Sequence, residues 1–178
     1  MNRTWRMAAN AAGFQLGWFA CVLGAAHRMP LLGTAIAAGL IAIHLATALR
    51  PRRDLALVGL ACVLGLAWDS SLAAAGLVRY APGPWLPGLA PHWIVALWAL
   101  FAATLDHSLG WLQRRPGLGA LLGGIFGPLS FVAGVRLGAA SLPSPTAALV
   151  AIGVGWALWV PLLAWAAARL PSPEARHA

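Results

Sequence analysis

The chain has 178 residues, 61% of them hydrophobic and 9% charged, with a mean hydropathy of +0.78 and a net charge of +8. A soluble domain carries about 25% charged residues, so this composition excludes an ordinary water-soluble enzyme and places the chain in the membrane class. All 12 basic side chains are arginines scattered at segment ends, not gathered on one face, which excludes a nucleic-acid-binding arm.

In lipid every backbone polar group must find its partner inside the protein, so only helices or a closed barrel can cross. Long Leu- and Ala-rich runs without period-two alternation select helices. Six segments have the roughly 20 apolar residues that a crossing needs: 8–26, 31–49, 55–78, 93–112, 118–137 and 147–168. Arg3 and Arg6 before the first run imitate a secretory signal. That run is too long for a signal core and more spans follow it, so an uncleaved first helix is expected. His27-Arg-Met-Pro30 turns the first hairpin and Arg50-Pro-Arg-Arg-Asp54 the second. The longest connection, Arg79-Tyr-Ala-Pro-Gly-Pro-Trp-Leu-Pro-Gly-Leu-Ala-Pro-His92, is too rich in breakers to be helical throughout. Gln113-Arg-Arg-Pro116 and Ser141-Leu-Pro-Ser-Pro145 supply the last two turns. Residues 171–178 read as a disordered tail, and no soluble domain is expected.

Arginine placement orients the bundle. With the N-terminus inside, Arg3, Arg6, Arg50, Arg52, Arg53, Arg114, Arg115, Arg169 and Arg176 are cytoplasmic. Arg28, Arg79 and Arg136 fall on the other side. By the positive-inside rule the expected architecture is an all-α, polytopic six-transmembrane-helix bundle with both termini cytoplasmic. Trp85, Trp93 and Trp111 fall near interfaces, where indoles are favoured. Cys21 and Cys62 lie in different spans at different depths and read as small buried hydrophobes. Ala20-Cys-Val-Leu-Gly24 recurs as Ala61-Cys-Val-Leu-Gly65, but both copies run in one direction and give no inverted repeat.

Only four residues are acidic, so the two inside spans stand out. Asp106 and His107 are adjacent in the fourth span. From the helical rise, Asp106 lies about 12 Å from the cytoplasmic end, His44 about 9 Å and Gln15 about 13 Å. This shared depth points to a cytoplasm-facing pocket lined by Gln15, His44, Asp106 or His107, and Ser108. On a helix, Asp106 and His107 diverge by about 100°, and Thr104 shares a stripe with His107 and Ser108. The competing reading is polar glue between helices. Asp69, followed by Ser70 and Ser71, is a secondary polar site. Arg136 either reaches inward to Asp69 or extends outward to headgroups. Gly119, Gly123 and Gly127 form a small-residue packing face, and Pro128 is expected to kink or break the fifth helix. The sequence has no zinc-protease pair, nucleophile elbow or phosphate loop. His44 and His107 alone are too few to assign haem or a metal, so no metal is expected and the cofactor is unknown.

Three runs together carry a resemblance: Gly17-Trp-Phe-Ala-Cys-Val-Leu-Gly-Ala-Ala26, Thr104-Leu-Asp-His-Ser-Leu-Gly-Trp111, and Gly124-Ile-Phe-Gly-Pro-Leu-Ser130 followed by Gly134 and Gly138. They resemble the bacterial inner-membrane family called domain of unknown function 2878 over nearly the whole chain. The resemblance implies a compact multi-span protein without an assigned activity or catalytic residues. It is loose at Asp106, where Asn also fits, and so shifts weight to His107. Three functions remain open. They are binding or passage of a small or lipidic molecule, a lipid-modifying enzyme with His107 as general acid or base, and an accessory subunit packing through its glycine faces. The expected partners are the lipid bilayer and another membrane protein or a second copy of the chain.

Overall fold

Four helices begin on a proline that ends the preceding turn: α2 (Pro30–Thr47), α3 (Pro51–Ala74), α5 (Pro116–Arg136) and α6 (Pro145–Arg169). Proline suits this position because a helix leaves its first N–H groups unpaired anyway. The computed structural model describes residues 3–83 and 86–170. Within them, α1 (Arg3–Ala26) and α4 (His92–Ala102) complete the helices. Two short strands, β1 (Arg79–Tyr80) and β2 (Ala140–Ser141), pair antiparallel with Arg79 opposite Ser141. The expected tail at 171–178, with Arg176, and the interfacial place of Trp85 lie outside the described residues.

The described residues are all-helical apart from this strand pair, and α1, α2, α3, α5 and α6 are each long and apolar enough to cross a membrane. The segment 93–112 differs from the single helix expected there. α4 stops at Ala102, residues 103–109 form successive turns, and Gly110–Arg114 is a 3-10 helix. The 11 residues of α4 make a helix about 16 Å long, roughly half a hydrocarbon core.

Short as it is, α4 sits at the centre, packed on α1, α2 and α3, and it buries Trp93, Ile94, Trp98, Leu100 and Phe101. α5 packs chiefly on α6. Lipid tails are as apolar as a helix interface, so close fit and hydrogen bonds hold such helices together. Here the fit is indole on glycine. A Cβ at Gly65 would strike the Trp98 ring, one at Gly127 the Trp156 ring, and one at Gly155 the Trp68 ring. Trp98 and Trp156 then stack with centroids 4.9 Å apart, joining α4 to α6. Gly119, Gly123 and Gly127 are buried on α5 beside Val160, Pro161 and Trp156 of α6. Both α5 and α6 continue as helices through Pro128 and Pro161, so α5 is not broken at Pro128. Cys21 and Cys62 are free thiols.

Candidate functional site

A helix that unwinds inside a bundle must pair its freed backbone groups elsewhere. Two side-chain amides do this for residues 103–109. Asn10 on α1 donates to the Ala103 carbonyl at 3.0 Å, and its Oδ1 accepts from the Ser108 hydroxyl at 2.7 Å and the Ser108 N–H at 3.3 Å. Gln113 donates to the Leu105 carbonyl at 2.8 Å. Thr104 is buried and donates back to the Phe101 carbonyl at 2.6 Å, so the helical stripe expected for Thr104, His107 and Ser108 does not form. Asn10→Leu leaves a carbonyl, an N–H and a hydroxyl without their partner. Thermal unfolding in detergent is expected to show a loss of about 1–3 kcal/mol.

The turn sends Asp106 and His107 to different partners, which are themselves neighbours on α3. Asp106 Oδ1 accepts from Arg53 at 3.1 Å and from Gln113 at 2.6 Å, and its Oδ2 lies 2.8 Å from Arg53 Nη1 as an ion pair without hydrogen-bond geometry. Arg53 also donates to the Ala167 carbonyl in the last turns of α6. His107 meets His44, ring centroids 4.9 Å apart and edge to face. His44 Nε2 lies 3.3 Å from Asp54 Oδ2, and Asp54 is buried at 6% exposure. One ligand atom from each of His44, Asp54 and His107 lies within 4.8 Å of the other two. His107 Nδ1 is buried and has no hydrogen-bond partner among the described residues. His44 and His107 line a cavity of about 540 Å³ together with Arg6, Asn10, Phe14 and Thr47.

Of the residues expected in one pocket, His44 and His107 converge, and Ser108 adjoins them through Asn10. Asp106 is engaged by Arg53. Gln15 is exposed and lines a second cavity instead. That cavity holds about 930 Å³ between α1 and α5, floored by α4. Its walls are Phe14, Trp18, Phe19, Leu97, Phe126 and Leu129, with Gln15, Asp69, Ser130 and Arg136 as the polar exceptions among mostly apolar neighbours. Phe14 borders both cavities.

Asp69 is 2% exposed and accepts from the Tyr80 hydroxyl at 2.5 Å and the Trp98 indole N–H at 2.6 Å. Burial, and then the Asp69 carboxylate, holds the Tyr80 phenol well above its usual range, so it remains a donor. Trp93 stands edge-on to Tyr80 and donates to the Ala81 carbonyl at 3.1 Å. Arg136, one candidate partner for Asp69, is exposed at the end of the groove and makes no ion pair among the described residues.

The family model described as "Protein of unknown function (DUF2878)" matches residues 7–162. The chain belongs to that family. The match spans most of α1 to most of α6 and takes in the described lining of both cavities of this DUF2878 protein except Arg6. No curated protein and no solved structure matches it.

Several residues at these sites carry little signal in the sequence. Asp54 and Arg53 read as part of a charged turn, although Asp54 follows His44 by one short hairpin. Asn10 reads as a shallow polar residue near an end, and Gln113 as a loop residue. Tyr80 and Trp98 read as loop and lipid-facing aromatics. What could have singled out Tyr80 and Trp98 is the need of Asp69 for donors, since Arg136 is the only in-span cation.

Proposed function

We propose that this is a six-crossing protein of the bacterial cytoplasmic membrane, with both termini cytoplasmic, that binds an anionic lipid in the groove between α1 and α5. The observation that carries the reading is the 930 Å³ cavity, apolar over most of its wall and bordered by the exposed side chains of Phe19, Phe126 and Leu129. Its size lies in the range of small-molecule sites. About 21 Å of helix separates Leu122 from Arg136 along it, a length suited to a hydrocarbon chain. Arg136 at its end favours a negative headgroup. The sixth crossing is assigned to α4 with the turns and 3-10 helix that follow, supported by the bias of nine arginines to three.

Mass spectrometry of the detergent-purified protein tests the reading. Phosphatidylglycerol should be retained in preference to phosphatidylcholine. Ala133→Trp, which fills the groove, should abolish retention, and Arg136→Gln should weaken it by about fivefold, the worth of roughly 1 kcal/mol. Equal retention by the protein and by Ala133→Trp would refute it.

A second reading keeps the polar cavity as a cytoplasm-facing site for a small molecule, with His107 as an acid or base. It is favoured by the meeting of His44, His107 and Arg6 on one 540 Å³ cavity. An accessory role through Gly119, Gly123 and Gly127 draws no support from that face, which α6 already covers.

A further inference from the structure

We infer that His44, Asp54 and His107 form a three-ligand site for a divalent transition metal of the zinc class, with its fourth position open to the polar cavity. The set has the right chemistry, because two imidazole nitrogens and one carboxylate oxygen are ordinary ligands of a zinc-class ion whose fourth position stays open. Two ligands each about 2.05 Å from a tetrahedral ion stand about 3.3 Å apart. His44 Nε2 and Asp54 Oδ2 are separated by 3.3 Å, and the ligand atoms of all three residues lie within 4.8 Å of one another. Bringing the widest of these separations to that spacing takes a side-chain adjustment of at most about 1.5 Å.

A His–Asp clasp between α2 and α3 would explain the first pair alone. It leaves His107 unexplained. That ring sits edge-on to His44 while its own Nδ1 is buried without a hydrogen-bond partner among the described residues. Buried polar atoms are nearly always partnered, and one ring nitrogen of His107 lies within 4.8 Å of both the His44 nitrogen and the Asp54 carboxylate, where a shared cation would partner it. The scaffold is firm on all three sides. His44 stands in the last turn of α2, Asp54 in the first turn of α3, and His107 in the turn that Asn10 and Gln113 brace. Asp106 is nearby but paired to Arg53, so it adds no free charge. Arg6 lines the same cavity and opposes a bare cation, while it suits an anionic group or hydroxide in the fourth position.

This site stands apart from the lipid groove, so either can fail without the other. The test is a cobalt(II) titration of the full chain in detergent, purified without a polyhistidine tag and stripped with chelator. We expect one cobalt per chain with the visible bands of a tetrahedral site. His107→Ala and Asp54→Asn should each weaken binding by more than the roughly 10- to 100-fold lost with an outer-shell partner. His27→Ala, outside the cluster, should change nothing. His107→Cys should restore binding and add a thiolate-to-cobalt charge-transfer band in the near ultraviolet. Absence of the visible bands, or undiminished binding in Asp54→Asn and His107→Ala, overturns the proposal. Where His107→Ala does not fold, a folded His107→Cys protein lacking the charge-transfer band overturns it instead.

Discussion

Asp69→Leu is expected to cost about 2–6 kcal/mol, since it strands two buried donors at roughly 1–3 kcal/mol each. Tyr80 and Trp98 both donate to this carboxylate, at 2.5 Å and 2.6 Å, and neither group has a second acceptor among the described residues. The damage is not local. Trp98 sits in the Gly65 notch of α3 and stacks on Trp156 of α6, so a displaced indole loosens three helices together. Asp69→Asn keeps one acceptor oxygen and should lose about half as much. Tyr80→Phe should cost about 1–2 kcal/mol alone but recover about 1–3 kcal/mol in the Asp69→Leu background, because it then removes the hydroxyl that the first change stranded. Thermal unfolding of the four proteins in one detergent measures the cycle. Additive losses would mean that the two residues are not coupled.

The parts of the fold legible in the sequence were those set by solvent and by turn chemistry. Apolar length marked the five long helices, and prolines marked where four of them start. The fourth segment misled for a physical reason. Its hydropathy continues to Trp111, but hydropathy reports what lipid tolerates and not which backbone hydrogen bonds are made. Unwinding at Ala103 depends on Asn10, distant in sequence by the whole of two hairpins, which replaces the missing helical partner. A one-dimensional reading has no access to that compensation.

Depth estimates shared the same flaw. Counting residues along the helices puts His44 and His107 at a similar level, and they meet. The same count puts Gln15 at that level too, yet it lies on the other side of α1, since depth along an axis says nothing about azimuth. Asp106 stands out in the sequence as a costly charge, and its partner does not, because Arg53 reads there as an interfacial topology signal. One arginine serves both purposes. Glycines on α5 were legible as a packing face, whereas the pairing of Gly65, Gly127 and Gly155 each with a tryptophan on another helix required the three-dimensional register.

Arg53→Leu should destabilise the chain by about 3 kcal/mol, the low end for removing one partner of a buried ion pair. Both side chains are nearly enclosed, at 11% and 13% exposure, so the stranded Asp106 carboxylate gains little from water. Gln113 still donates to it at 2.6 Å, which keeps the loss from reaching the upper end. A further loss comes from α6. The Ala167 carbonyl is among the last of that helix, where no helical N–H follows to pair with it and the dipole end is negative. Arg53 therefore ties α3, the 103–109 turn and the end of α6 at one point. Arg53→Lys keeps the charge but not the fork, so it should hold Asp106 while releasing Ala167, giving an intermediate loss. Arg53→Leu combined with Asp106→Leu should recover much of the stability, because no buried charge is then left unpaired. Unfolding midpoints in detergent across these variants decide the matter. A double variant no more stable than Arg53→Leu would show that the guanidinium acts through Ala167 alone.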